Sequence, residues 1–301
     1  MTDLSSRGFN SQLSSINLSP MTVLEVLRAA SGYLKDHGVD SPRLNAEHLL
    51  AHVLGKKRLD LYLEFDRPVS DAERAPLRDM VRDRGTGKPL QHLLGTTEFF
   101  GRMFLSDSRA LVPRPETEQL VELALENPLC RDAPMNILDI GTGSGVIAIT
   151  LALQLPLAAV TATDISSEAL SLARENAARH SVDGKITFRE ADLFPSGDGR
   201  FASIVANLPY ITSAELASLQ REVRHDPLVA LDGGLDGLCL IRRLIEAAPA
   251  RLAAGGFMAM EIGHDQATRV AAQLASQAYR DIRVHKDHQG IERFVTASSP
   301  Q

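Results

Sequence analysis

The chain is 301 residues long, 44% hydrophobic and 23% charged, with a formal net charge of −6 at pH 7. That is the composition of an ordinary globular protein with room for two domains. The acidic balance argues against a chain that lives on nucleic acid, which needs a broad basic face, and no apolar run approaches the roughly 20 residues of a membrane-spanning helix.

The opening “MTDLSSRGFNSQLSSINLSP” is rich in Ser and Asn. It has neither the charged start and long apolar core of a secretory signal nor the Arg content of a transit peptide, so a flexible tail over residues 1–20 of a cytoplasmic protein is expected. From Thr22 the pattern turns helical. “TVLEVLRAASGYLKDHG” sets Val23, Leu27, Ala30 and Leu34 at helical spacing and stops at Gly38. “SPRLNAEHLLAHVLG” repeats the arrangement, with a Ser cap, Pro42 in the first turn, apolar Leu49, Leu50, Val53 and Leu54, then Gly55. “SDAERAPLRDMVRDRGTG” predicts a further helix, acidic in its first turn and basic in its last, which suits the helix dipole. Residues 21–89 should therefore form a small helical bundle. It carries no catalytic-looking cluster, and its role is either packing or recognition of a partner. An appended all-helical domain often serves recognition, so a substrate-recognition domain is expected.

Residues 90–113 change character. Phe99, Phe100 and Phe104 flank Gly101, which predicts a β-hairpin linker. “PRPETEQLVELAL” follows, where Pro115 can start a helix with Glu116 and Glu118 in its first turn. Residues 114–301 then form one domain. “NILDIG”, “AVTATDI”, “KITFREAD”, “FASIVAN” and “GGFMAMEIG” read as strands, with helices expected near 145–154, 166–180, 213–222, 238–253 and 265–277. Such alternation implies an α/β fold, a parallel sheet covered on both faces. “DIRVHKDHQGIERFVTAS” adds two strands as an appended hairpin. Cys130 and Cys239 lie far apart among apolar neighbours, and are expected as buried free thiols in a reducing compartment. No CxxC or HExxH occurs, so no metal site is expected.

Ligands of open α/β sheets bind outside the carboxyl ends of the strands, and here those ends are polar. “DIGTGSG” follows the first strand, where Gly141, Thr142, Gly143, Ser144 and Gly145 let backbone approach a nucleotide-like ligand and the next helix offers N–H groups. A tight strand–helix turn would select the same glycines. Asp164 ends the second strand and could accept both hydroxyls of a ribose, or cap the next helix. After the third strand, Asp192 could accept from an adenine amino group while Leu193 or Phe194 covers the ring, or Asp192 could belong to a turn. After the fourth come Asn207, Leu208, Pro209 and Tyr210. They are either a turn or a pocket that holds a planar nitrogen compound by its N–H groups. A polar or glycine signature at four consecutive strand ends favours a site. The run Gly141, Gly143, Gly145, Val146 is not the GxGxxG fingerprint of a hydride-transferring enzyme.

“LDIGTGSGVIAITLA” instead resembles the S-adenosylmethionine loop of class I methyltransferases. The resemblance implies a Rossmann-like domain with a mainly parallel seven-stranded sheet. It also implies S-adenosylmethionine as cofactor, its methionine part at the glycine loop and its ribose at Asp164. Asn207-Leu208-Pro209-Tyr210 resembles the [DN]PPY motif of methyltransferases that act on planar nitrogens. In that motif the Asn207 oxygen and the carbonyl of residue 208 would bind both N–H groups, with Tyr210 on the flat face of the substrate; Asn207 is also expected to contact the cofactor. Leu208 departs from the commoner Pro. “NLPY” is also the spelling of rRNA adenine dimethyltransferases, so an RNA or DNA adenine amino-group methyltransferase is the alternative. Residues 84–122, above all “PRPETE”, resemble the release-factor glutamine methyltransferases, the HemK/PrmC family, and “DPLVALDGGLDGLCLIRRLI” and “GGFMAMEIGHDQ” continue the likeness. His225-Asp226-Pro227 is read as a departure, since the family usually has an acidic residue before Pro. An rRNA dimethyltransferase would start almost directly with its cofactor domain and end in a basic helical one. A binding module that kept only the fold would need neither the glycine loop nor Asp164 nor Asn207. The family likeness implies peptide chain release factors as protein substrate, with no direct nucleic acid or membrane partner and a monomeric chain.

Overall fold

The computed structural model describes residues 21–126, 134–197 and 199–300; the expected tail and Cys130 lie outside the described residues. The chain divides into two compact units, Met1–Leu94 and Gly95–Gln301.

The first unit is helical: α1 (Val23–Asp36), α2 (Pro42–Leu54), a 3-10 turn (Arg58–Leu63), α3 (Asp71–Gly85) and a short α4 (Leu90–Leu94). Capping boxes start α1 and α3, Thr22 with Glu25 and Ser70 with Glu73, each satisfying two otherwise orphaned N–H groups. Val23, Leu27, Ala30 and Leu34 meet Leu49, Leu50, Leu61, Leu77 and Val81 in one buried cluster. Ser41 is not the side-chain cap expected of it. Its backbone is left-handed at φ 48 and its hydroxyl caps nothing; the Asn45 amide instead donates to the Asp40 and Ser41 carbonyls at 2.9 and 3.2 Å. Residues 90–94, expected within the hairpin, are the helical turn α4.

The second unit opens with the hairpin β1 (Thr96–Phe99) and β2 (Arg102–Leu105), followed by α5 (Glu116–Glu126). The remaining strands are β3 (Met135–Ile140), β4 (Ala158–Asp164), β5 (Ile186–Glu190), β6 (Phe201–Asn207), β7 (Leu252–Glu261), β8 (Arg280–Lys286) and β9 (Glu292–Ser298). They form a seven-stranded sheet in the order β5-β4-β3-β6-β7-β9-β8, parallel from β5 to β7, with β9 antiparallel to both its neighbours. The terminal pair is thus part of the sheet, with β9 lodged between β7 and β8. Helices α6 (Val146–Gln154) and α7 (Ser167–Arg179) belong with α5 to the cluster on one face, where Ile137 and Val205 point. On the other face Leu138 and Ile204 meet α8 (Cys239–Ala247) and α9 (Ala267–Ser276). This double burial is why the central strands read as apolar runs.

Three expectations change. Residues 213–222 form no α-helix but the 3-10 turn Glu215–Ser218 and the start of a coil, because none of them is buried and a short helix needs an apolar face to hold it. The helix expected to reach 253 ends at Ala247 and tightens to 3-10 over Ala248–Ala250, where Pro249 cannot continue an α-helical ladder. Cys239, expected buried, is exposed at the first turn of α8.

Asn176 of α7, completely buried, ties this unit together. Its Oδ1 accepts from the Leu105 N–H at 2.7 Å, and its Nδ2 donates to the carbonyls of Leu105 and Ser144 at 3.2 and 2.9 Å. It joins the hairpin to the glycine-rich turn after β3. Asn176→Ala should cost roughly 3 kcal/mol in chemical denaturation, because each buried polar group left unpaired costs about 1–3 kcal/mol. A loss under about 0.5 kcal/mol would contradict this account.

Candidate active site

The turns after β3, β4, β5 and β6 enclose a cavity of about 590 Å³ within the second unit. It lies where the strand order reverses between β3 and β6, the usual ligand position in a doubly wound sheet.

β3 delivers the glycine turn. Gly141, Gly143 and Gly145 all have left-handed φ, +73, +56 and +84, a region open to glycine without strain. The N–H groups of Gly141 and Thr142 donate to the Thr163 carbonyl at 2.8 and 2.9 Å, and that of Gly143 donates to Asp164 Oδ2 at 2.9 Å. Gly141, Thr142, Gly143 and Ser144 line the cavity and Gly145 does not. A Cβ on Gly145 would sit 3.0 Å from both Ala173 Cβ and Ile149 Cδ1, so this glycine serves close packing of α6 on α7. Beneath the turn, Asp139 is fully buried. Its Oδ2 accepts from the Thr142 hydroxyl at 2.6 Å and the Ala148 N–H at 3.1 Å, while Oδ1 has no hydrogen-bond partner among the described residues. Burial pushes this carboxyl up to about 7.

Asp164, at the end of β4, also accepts from the Ser166 N–H through Oδ1 at 2.9 Å. Burial raises its pKa against the pull of these backbone bonds, and each oxygen keeps a second lone pair towards the cavity it lines. Asp192 and Leu193 line the same wall. Asp192 accepts from Arg243 at 2.8 Å, and Leu193, at φ +69, is held by the Thr163 hydroxyl donating to its carbonyl at 2.7 Å.

β6 delivers Asn207, Leu208 and Pro209, all in the cavity wall. Asn207 Nδ2 donates to Glu261 Oε2 at 3.0 Å and to Thr117 Oγ1 at 3.1 Å, while the Thr117 hydroxyl donates to the same Glu261 oxygen at 2.8 Å. Both amide hydrogens are spent, which leaves Oδ1 as the free acceptor. The Leu208 side chain packs in the core within 3.1 Å of the place a Gly141 Cβ would take, and its carbonyl accepts no hydrogen bond among the described residues. Tyr210 is not in the cavity wall. Its ring packs against the core and its hydroxyl lies 3.4 Å from Glu261 Oε1, with burial pushing the phenol up to about 12.

Thr117, Glu261, Asp139 and Arg114 were not singled out from the sequence, and Asp226 was noted only within the triplet His225-Asp226-Pro227. Asp226 is buried and accepts from the Val112 N–H at 3.3 Å and from Arg114 at 3.1 Å, which fixes the segment leading into α5. Burial pushes its carboxyl up to about 6, opposed by the Arg114 guanidinium. Asp226 is itself an acid before Pro227, so the triplet is no departure from the family pattern. A signal was available for Asp139 and Glu261: each is one acid inside an apolar strand, “NILDIG” and “MAMEIG”, and a buried carboxylate must find partners.

Residues 25–95 match the family model described as the PrmC N-terminal domain, and residues 118–225 the model described as the methyltransferase small domain. The hMettl16 catalytic domain, solved with the MAT2A 3′UTR hairpin 6, superposes with a TM-score of 0.55 at 16% identity, covering 77% of this chain and 83% of that one. That likeness concerns the fold, and the fold is a Rossmann-like methyltransferase fold. The release factor glutamine methyltransferase of Geobacter sulfurreducens is 44% identical over 278 residues, 91% of this chain and 95% of the relative. That of Chlorobaculum tepidum is 42% identical over 286 residues, 91% and 96% of the two chains. The chain belongs to the release factor glutamine methyltransferase family. The adenine-methylating alternative is not favoured. Among the described residues no helix is long and apolar enough to cross a membrane.

Asp139 gives the site a stability signature. Its carboxyl titrates near 3.8 when unfolded and near 7 when folded, so its contribution is fully present below the first value and is lost as pH rises through the second. Asp139→Asn removes this titration. The melting temperature of the variant relative to wild type should therefore rise between about pH 5 and about pH 8. A difference that stays constant over that range would contradict a buried, proton-linked Asp139.

Proposed function

We propose that the chain transfers a methyl group from S-adenosylmethionine to the side-chain amide nitrogen of the glutamine in the Gly-Gly-Gln motif of peptide chain release factors. Membership of the family supports the reaction. One observation carries the residue-level reading: the Asn207 amide is held with both hydrogens occupied, and its oxygen and the Leu208 carbonyl are the two free acceptors at one wall.

The cavity fits such a cofactor by its chemistry. Glycines 141 and 143 bare the backbone, Asp164 and Asp192 offer acceptors for hydroxyl and amino groups, and Leu193 offers an apolar face. We assign the methionine part to Gly141, Thr142, Gly143 and Ser144, the ribose to Asp164, and the adenine to Asp192 and Leu193, with Gly145 acting through the packing of α6. When bound, S-adenosylmethionine supplies an electrophilic methyl group on a cationic sulfur. The rest is the work of this chain. An amide nitrogen is a poor nucleophile because its lone pair is delocalised into the carbonyl. Asn207 Oδ1 and the Leu208 carbonyl accept its two N–H groups and favour a pyramidal nitrogen whose lone pair is free. That stabilisation is realised mainly in the transition state. The proton shed after transfer is acidic enough to pass to water. Pro209 stiffens the turn, and Tyr210 supports it through the Glu261 carboxylate. The helical domain at 21–89 recognises the protein substrate, the segment 90–113 connects, and 114–301 carries the chemistry. The net charge of −6 supports a protein rather than a nucleic acid partner, and we read the chain as a cytoplasmic monomer.

Single-turnover methylation of release factor at saturating cofactor tests the reading. Asn207→Ala should slow transfer about 100- to 1000-fold, the loss found when one preorganised transition-state contact is removed, with little change in cofactor affinity. Asn207→Asp should also be slow, because a second carboxylate would face Glu261 and the two cannot both ionise. A near-wild-type rate for Asn207→Ala would reduce “NLPY” to a turn.

A further inference from the structure

We infer that Glu261 is a positioning residue for Asn207: with Thr117 it selects the amide orientation that turns Oδ1 to the cavity. The inference rests on the reading of Asn207 as substrate acceptor and deepens it. A carboxamide has two ends of nearly the same shape, and half a turn about χ2 exchanges oxygen for nitrogen. A substrate N–H presented to Nδ2 would meet a donor, so a flipped Asn207 would oppose the reaction.

A carboxylate only accepts. Placed opposite the Asn207 end of β6 by the strand register, Glu261 admits Nδ2 at 3.0 Å and rejects Oδ1. Thr117 alone could not choose, since a hydroxyl donates or accepts. Here its hydrogen is committed to Glu261 at 2.8 Å, so its lone pair faces Nδ2 at 3.1 Å. One carboxylate thus sets the sense of both contacts, and the three groups close a ring of hydrogen bonds.

The selection requires an ionised Glu261. Arg293 from β9 and the bonds from Thr117 and Tyr210 favour that form, while burial, the largest influence, and Glu116 from α5 oppose it; the balance pushes the carboxyl up to about 7. Protonated, Glu261 gains a donor and tolerates Oδ1. Selection is therefore complete above that pH and fades below it.

The test compares single-turnover methylation of release factor by wild type, Glu261→Gln, Thr117→Val and Asn207→Ala at saturating cofactor, from about pH 6 to about pH 9. The wild-type rate should fall as pH drops through about 7. Glu261→Gln should be about tenfold slower at high pH, the scale of one charge-assisted hydrogen bond, with a flat profile and unchanged cofactor affinity. Thr117→Val should be slower while keeping the wild-type profile. Glu261→Gln matching wild type in rate and pH profile, with Asn207→Ala slow, overturns the positioning role and leaves Asn207's role standing. A fast Asn207→Ala overturns both. If Glu261→Gln does not fold, a wild-type profile flat through about 7 together with a fully active Thr117→Val overturns the proposal.

Discussion

The pairing of β3 with β6 is the constraint on which the site depends. Four residues of each strand are in parallel register, from Ile137 against Ser203 to Ile140 against Ala206, so the turns that follow them must emerge side by side. Their contact is close: a Cβ on Gly141 would sit 3.1 Å from Leu208 Cδ2. The glycine after β3 meets the left-handed φ of its own turn and leaves room for the Leu208 side chain beside it. Leu208 is buried there, and Asn207 and Leu208 share a cavity wall with the glycine turn. In the proposed reaction, the donor and acceptor pockets are two sides of one strand pair.

The carboxyl groups beneath this edge are the second element of the design. Asp139 holds the glycine turn from below, Glu261 holds Asn207, and Asp226 holds the segment entering α5. Burial raises all three carboxyls above their ordinary values, so near neutral pH the fold carries charge in places where charge is costly. Each also accepts the hydrogen bonds that fix a neighbouring loop. Stability is given up where loops need a fixed geometry, as functional sites commonly require.

Much of the fold was legible. The alternation of apolar runs and helical stripes after Pro134, the helical start from Thr22 and the hairpin around Gly101 all rest on local signals that the tertiary structure reinforces. What escaped depended mostly on partners distant in sequence, the stop at Pro249 being a local signal passed over. Residues 213–222 have helical composition but no apolar face to dock, and Pro249 cuts α8 short. The placement of β9 between β7 and β8 follows from pairing that no local pattern announces. At the cavity wall, strand-end residues such as Gly141, Asp164 and Asn207 were legible because polarity interrupts apolar runs there. Thr117 was not, since its meaning lies in Glu261; Tyr210, expected on the flat face of the substrate, packs against the core beside Glu261 and outside the cavity wall. Cys239 shows the limit of reading burial from neighbours in sequence: its apolar neighbours point inward while it faces out.

The central claim is that the acceptor is a glutamine amide nitrogen in a release factor. The most direct measurement is transfer of labelled methyl from S-adenosylmethionine by the full chain into three separate acceptors: purified release factor, the same factor with the glutamine of its Gly-Gly-Gln motif replaced by alanine, and ribosomal RNA. The account predicts label in the first alone. Label in the RNA, or equal label in the factor that lacks the glutamine, would contradict it.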